Sequence, residues 1–372
     1  MSVSAGAGHV RAAQALCANA DLHGTTVTHL DVMQTMPDLF RQMYTHTYMR
    51  LVGKYPHAWG WLYRHMQQAR STDRTQRLRR WFERRQGRAL LSAIQDIRPD
   101  AIISTHFLPA ELLAYLPPDK KLPCPVWVQV TDYDLHRIWI QPEVAGYFVA
   151  SDEVAFRLQA EGVARQRIHV VGLPIMPAFA APTDRIASAA SLHLDPAQTT
   201  ILLMGGGAGL GNIFGITEKL LSIEPPLQLI VLTGSNTTLY DRLATLAAGY
   251  VGRLVVQAQV TDVERFMACA DLIVTKSGGL TSAECLAMGL PMIINAPIPG
   301  QEESNADYLV EQGVALKAAD AITVEYRVRC LLNDPVRLKQ MSTRARALAR
   351  PAAATRVMQI VLSQLKNTTF EQ

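Results

Sequence analysis

Short apolar runs alternate along this chain with longer stretches of helical pattern. In the first half the runs are "DAIIST" from Asp100, "PVWVQVTD" from Pro125, "GYFVAS" from Gly146 and "IHVVG" from Ile168. In the second half they are "TTILLMGGG" from Thr199, "LQLIVLTG" from Leu227, "RLVVQAQV" from Arg253, "DLIVTK" from Asp271 and "PMIIN" from Pro291. Runs this short and this apolar fit strands buried on both faces. With helices between them, they predict parallel sheets covered on both sides. A Pro- and Ala-rich stretch, "GLPIMPAFAAPTD" from Gly172 to Asp184, separates the two halves. The predicted organisation is a first domain over 1–173, a second over 174–350 and a last helix over 351–372. That helix is expected to cross back to the first domain, with Pro351 marking the bend. Two doubly wound domains would place ligands at the carboxyl ends of their strands, in a cleft between the sheets. The opening "MSVSAGAGHVRAAQAL" reads as strand, glycine loop and helix, but fewer residues precede its first glycine than a strand usually holds. Either the reading frame starts further upstream or the domain opens on an unusually short strand.

Length and composition agree with this organisation. At 372 residues the chain exceeds one ordinary core, and 49% hydrophobic with 18% charged residues marks it as globular. No apolar run approaches the roughly 20 residues of a membrane span, and no secretory leader pattern opens the chain. Cys17, Cys124, Cys269, Cys285 and Cys330 lack paired spacing, which points to reduced thiols in the cytosol and away from a zinc site.

Charge adds an asymmetry. Residues 1–173 hold 20 Lys and Arg against 15 Asp and Glu, and the remainder holds 16 against 17. The excess is densest in "RSTDRTQRLRRWFERRQGR", Arg70 to Arg88, which contains eight arginines with Trp81 and Phe82. The aromatic- and Met-rich segment Leu39–Tyr63 precedes it. Amphipathic helices closing over the first domain, an anionic membrane interface and nucleic acid all suit such a composition.

Two glycine-led helix starts lie in the second half. "GGGAGLG", Gly205 to Gly211, follows an apolar run and opens a helix, and it includes Gly206, Gly207 and Gly209. "KSGGLTSAECLAMGLP", Lys276 to Pro291, does the same with Lys276, Gly278, Gly279, Leu280 and Thr281. Backbone N–H groups and the positive end of a helix favour phosphate there, although a plain strand-to-helix turn needs the same glycines. Two such starts on one sheet suit a diphosphate. Glu284, further along the second helix, is placed to accept from ribose hydroxyls, or it is a solvated helix carboxylate.

These residues carry a resemblance. "TKSGGLTSAECLAMGLPMIINAPIPGQEESNADYLVEQG" resembles the donor signature of the monogalactosyldiacylglycerol synthase and processive diacylglycerol glucosyltransferase family, relatives of the peptidoglycan transferase MurG. "SAGAGHVRAAQAL", "VTDYDLHRIWI" and "YFVASDEVAFRLQAEGV" agree with it in the first half, so the likeness covers nearly all of residues 2–350. Ser277 stands where family members usually have proline.

The resemblance implies an α/β GT-B fold, two Rossmann-like domains facing across a cleft. It also implies an inverting transferase that moves glucose or galactose from a UDP-sugar to diacylglycerol or a glycosyldiacylglycerol. No cofactor and no metal are implied; "DYD" at Asp132–Asp134 has a metal-like spacing that the family does not use. Inversion in one displacement needs a base on the acceptor hydroxyl. His9, at a helix amino end that disfavours imidazolium, and Asp132, at a strand end, are the candidates. Gly8, His106, His136 and Trp139 would line the acceptor pocket. Gln301, Glu302 and Asn305 of "PGQEESN" would meet the hexose, and Gly234 and Asn236 of "LTGSN" the nucleotide. The implied partners are a UDP-hexose, a diacylglycerol-type lipid and an anionic membrane surface, with no nucleic acid. The implied location is cytoplasmic, on the inner face of the membrane. A MurG-like transferase on a polyprenyl-linked acceptor, another UDP-sugar enzyme of this fold, and a non-catalytic nucleotide-sugar-binding protein are the alternatives.

Overall fold

The computed structural model describes residues 1–4, 6–20, 24–37, 41–42, 60–61, 65, 88–114, 116, 122–205 and 212–370. The chain divides into two units. The first comprises Met1–Pro177, Pro299–Gln301 and Arg350–Gln372, and the second Ala178–Ile298 and Glu302–Ala349.

The first half of the chain contributes α1 (Ala7–Ala20), α2 (Arg88–Ile97), β1 (Ile102–Ser104), α3 (Phe107–Ala114), β2 (Val126–Gln129), β3 (Gly146–Val149), α4 (Asp152–Ala160) and β4 (Ile168–Val170). The second contributes α5 (Arg185–Ser191), β5 (Thr200–Met204), α6 (Ile213–Leu221), β6 (Gln228–Leu232), α7 (Thr237–Ala247), β7 (Leu254–Gln257), α8 (Val263–Cys269) and β8 (Leu272–Thr275). It continues through α9 (Gly279–Met288), β9 (Met292–Asn295), α10 (Gln301–Glu311), β10 (Ala315–Ala318), α11 (Ala321–Leu332) and α12 (Pro335–Leu348), and α13 (Ala353–Phe370) follows.

In the first unit the strands run in the order β1-β2-β3-β4, all parallel. One face packs Val128, Tyr147 and Val149 against Val154 and Leu158 of α4. The other packs Trp127 and Phe148 against Leu16 of α1 and Val357 and Val361 of α13. Burying side chains of this size is worth about 1.5–3 kcal/mol each, which fixes α13 on this unit. Thr355 adds a hydroxyl bond to Asn19 Oδ1 at 2.9 Å. Residues 1–3 lie in extended form beside β1. Met1 N donates to Ile103 O at 2.6 Å and Met1 O accepts from Thr105 N at 2.9 Å. On its other side Ser2 exchanges two 3.0 Å bonds with the Leu30–Val32 segment. The short opening run therefore occupies a strand's place in the sheet, with Val3 fully buried.

In the second unit the order is β10-β9-β8-β5-β6-β7, again all parallel. From β5 the chain steps outward to β6 and β7. It then returns to the far side of β5 as β8 and steps the other way. The topological switch point falls between β5 and β8, the place at which sheets of this kind bind their ligands.

All nine strands read from the apolar runs form. The tenth, β10, was not read: it is a sheet edge on which Lys317 is exposed, so its pattern is mixed. No helix among the described residues is long and apolar enough to cross a membrane.

The Gly-Leu-Pro stop after α9 has a definite geometry. Gly289 sits at φ +67°, Gly289 N donates to Leu286 O, and Leu290 N donates to Cys285 O at 2.8 Å. This is a glycine-terminated helix end, and a side chain there would also strike Arg346. Gly289→Ala should therefore lose about 1–2 kcal/mol of stability from the left-handed backbone alone. Urea denaturation with an unchanged slope and a lowered midpoint is the expected result; an unchanged midpoint would refute it.

Candidate active site

In the first unit the candidate residues gather where three neighbouring parallel segments end. Residues 1–3 lead into α1 and His9, β1 leads into Thr105 and His106, and β2 leads into Thr131 and Asp132. His9 Nδ1 lies 2.9 Å from the backbone carbonyl of Thr105 and 3.1 Å from the hydroxyl of Thr131. A carbonyl only accepts, so Nδ1 carries the proton and Nε2 presents its lone pair. Desolvation, opposed by the Thr105 bond, lowers the His9 pKa from 6.5 to about 4. The imidazole is neutral at physiological pH.

The other two histidines adopt the opposite tautomer. His106 Nδ1 accepts from Leu108 N at 3.0 Å, and His136 Nδ1 accepts from Ile138 N at 3.1 Å. In each the ring proton therefore sits on Nε2, where it can be donated. The His9 and His106 rings meet edge to face at 4.5 Å between centroids, and Trp139, buried, lies 6.2 Å from His9 and 6.3 Å from His106. Gly8 is in the first turn of α1, beside His9.

Asp132 is 4% exposed. Gln301, grouped with the first unit, donates its amide to both Asp132 carboxylate oxygens at 2.9 and 2.8 Å. Asp134 turns away from that carboxylate to Arg157 at 2.9 Å and Leu135 N at 2.7 Å. The two carboxylates of "DYD" therefore serve separate partners.

In the second unit the glycine-led loop of Lys276–Gly279 joins β8 to α9, on the β8 side of the switch point. Gly278 is the N-cap in extended conformation, and it offers no side-chain cap to α9. The first N–H groups of that helix therefore receive no cap from the N-cap side chain. Glu302 ties this loop to the next one. Its Oε2 accepts from Ile298 N at 2.7 Å, its Oε1 lies 3.4 Å from Lys276 Nζ, and its carbonyl accepts from Ser277 Oγ at 2.5 Å. Ser277, where proline was the family expectation, supplies a bond that proline lacks.

Glu284 is buried in the second turn of α9, so it is not a solvated helix carboxylate. Leu280 is buried and Thr281 half-buried in the same helix. Asn305, expected to meet the hexose, has no exposed surface and donates to Ser277 O at 3.1 Å. Its place is beneath the loop, holding it. Gly234 follows β6 at φ +60°, and Asn236 caps α7 by accepting from Leu239 N at 2.9 Å. Gly206, Gly207 and Gly209, on the β5 side of the switch point, lie outside the described residues. So does most of Leu39–Tyr63 and all of 70–87 of the arginine cluster.

Thr105, Thr131 and the tying role of Ser277 escaped the sequence reading. Each threonine is the residue just before a candidate, His106 or Asp132, and one step past a buried run. That adjacency was the available signal.

Comparison with known proteins agrees in both halves. The monogalactosyldiacylglycerol (MGDG) synthase family model matches residues 9–175, and the glycosyltransferase family 28 C-terminal domain model matches 200–357. A processive diacylglycerol beta-glucosyltransferase of Bacillus cereus (strain B4264) is 29% identical over 285 residues, 76% of this chain and 73% of that protein. The protein of the same name from Staphylococcus saprophyticus is 28% identical over 281 residues, 75% of this chain and 71% of its own. Among solved structures, S. aureus MnaA with UDP aligns at TM-score 0.57 and 16% identity, covering 77% of this chain and 81% of the other. Acinetobacter baumannii MurG aligns at 0.52 and 17%, covering 76% and 79%. At such identities the structures speak for the shared GT-B fold alone. The first half of the chain thus resembles monogalactosyldiacylglycerol synthases and the second half the C-terminal domain of family 28 glycosyltransferases.

Proposed function

We propose that the chain is an inverting hexosyltransferase that moves a hexose from a UDP-sugar to the hydroxyl of diacylglycerol or a glycosyldiacylglycerol. The observation that carries this reading is His9, a neutral histidine whose Nε2 lone pair is presented at the carboxyl edge of the first sheet. The relatives' name, processive diacylglycerol beta-glucosyltransferase, supports the acceptor and favours glucose.

The chemistry assigns a part to each group. His9 Nε2 takes the proton of the acceptor hydroxyl. The freed oxygen bonds to hexose C1 while the bond from C1 to the UDP β-phosphate oxygen breaks on the opposite face. UDP leaves with the electron pair, and the uncapped N–H groups of α9 with the glycine turns stabilise its charge. A base as weak as His9 takes the proton late, as the new C–O bond makes the alcohol acidic. Asp132 orients the acceptor hydroxyl. Glu284 holds the ribose, and Gln301 meets the hexose; Glu302, with both carboxylate oxygens engaged, shapes the loop around them.

Incubation with radiolabelled UDP-glucose or UDP-galactose and diacylglycerol-containing membranes, followed by thin-layer separation, tests the function. A labelled glycolipid is expected, and no product from either donor would overturn it. His9→Gln should abolish transfer. Because the folded-state pKa is depressed, His9 stays unprotonated as pH falls below 6.5 and charges only near 4. The acid limb of kcat/KM should therefore lie below about pH 5; a limb centred near 6.5 would remove His9 as the base.

The donor assignments separate by calorimetry with UDP. Glu284→Ala should weaken UDP binding by about 1–3 kcal/mol. Gln301→Ala should leave UDP affinity unchanged and damage transfer, since UDP carries no hexose. Equal UDP affinity in wild type and Glu284→Ala would take Glu284 out of the site.

The acceptor is nearly insoluble in water, so the enzyme must reach the bilayer. The basic stretch Arg70–Arg88 is proposed to dock on anionic lipid of the inner membrane face, each basic residue being worth about 1 kcal/mol there. Changing Arg79, Arg80, Arg84 and Arg85 to Gln should release the protein from phosphatidylglycerol vesicles in flotation at low salt and leave UDP binding intact. Flotation equal to wild type would place the docking surface elsewhere.

A further inference from the structure

His9 is held by more than its place on α1. Its backbone carbonyl accepts from Thr105 Oγ1 at 2.8 Å, and the same hydroxyl lies 3.1 Å from Met1 O. Its ring is addressed at one nitrogen by two oxygens, the Thr105 carbonyl at 2.9 Å and the Thr131 hydroxyl at 3.1 Å. Thr105 and Thr131 are themselves buried, at 0% and 3% exposure, so neither is loosened by competition with water. They come from the ends of adjacent strands, β1 and β2, which are rigidly paired from Ile102–Val126 to Ser104–Val128.

We propose that Thr131 is a positioning residue for the reaction: its hydroxyl shares Nδ1–H with the Thr105 carbonyl and holds the His9 ring in the tautomer and orientation that leave Nε2 to accept a proton. The inference rests on the reading of His9 as the base. The Thr105 carbonyl alone selects the tautomer, because two facing lone pairs would repel. One oxygen, however, leaves the ring able to swing about that bond. A second, on the neighbouring strand, defines the ring plane. The edge of His106 at 4.5 Å packs against the ring from another side. Both Nδ1 partners are neutral oxygens, in contrast to the carboxylate that orients the base of a serine protease. Neutral partners fix orientation and raise basicity less than a carboxylate would, so desolvation prevails and the His9 pKa stays low.

Thr131→Val removes the hydroxyl at nearly constant volume, and Thr131→Ser restores it. In the full chain carrying ¹⁵N-histidine, long-range ¹H–¹⁵N spectra read the tautomer, with His9 assigned from the His9→Gln spectrum. The wild type should show a protonated Nδ1 and an unprotonated Nε2 at His9. Thr131→Val should broaden or mix these signals, and Thr131→Ser should restore them. In transfer assays Thr131→Val should lower kcat about tenfold. KM for the UDP-hexose should stay within about twofold, and Thr131→Ser should recover to within about threefold of wild type. UDP affinity and melting temperature should not move.

Wild-type tautomer signals and wild-type kcat in Thr131→Val would overturn the proposal. So would equal losses of kcat and melting temperature in the Val and Ser variants, which mark a merely structural threonine. A fully active His9→Gln beside a disturbed tautomer in Thr131→Val would remove His9 as the base and leave the hold of Thr131 on the ring standing.

Discussion

The parallel pairing of strands is the constraint from which the functional arrangement follows. Strands that all run the same way deliver every following loop to one edge of the sheet. In the first unit that edge collects His9, His106 and Asp132, from segments up to 123 positions apart in sequence. In the second it collects the loops after β8 and β9, on one side of the reversal of strand order between β5 and β8. Had any one of these strands run the other way, its residue would stand at the opposite end of the sheet.

Electrostatics then distinguish the two edges. The first is built to keep a histidine uncharged: desolvation opposes the imidazolium, and neutral oxygens meet its N–H. The second carries what the proposed diphosphate site would use: a helix that begins at bare glycines with no side-chain cap, and Lys276 beside it. Glu302 draws Lys276 and the Ile298 amide together, so the cation and the loop are held before any ligand arrives. If that loop binds the donor as proposed, such a preformed arrangement loses less conformational entropy on binding.

Local patterns in the chain carried much of this. The nine apolar runs announced their strands because buried parallel strands have no polar alternation to blur them. The Gly278–Gly279 pair announced the start of α9 and Gly289 with Pro291 its end, whereas α6 starts behind a side-chain cap from Asn212. Hydrogen bonds between distant residues were not legible in the same way. Thr131 acts on a ring 122 positions away, and Thr105 on the same ring 96 positions away. Asn305 is of a residue type and in a loop that suit a sugar ligand, yet it points into the protein. Only the packing of α10 against the Ser277 loop decides this.

By itself, the sequence determined the class of the fold and the number of sheets, and it named the candidates for moving a proton or meeting a phosphate. These depend on local propensity and on periodicity, which a linear chain displays directly. The tertiary structure alone decided the strand order, the switch point between β5 and β8, the tautomer of each histidine and the partners of Asp132, Glu302 and Asn305. Those depend on which oxygens and amides end up within about 3 Å of one another, and that is set by the pairing and packing of segments that the chain keeps far apart.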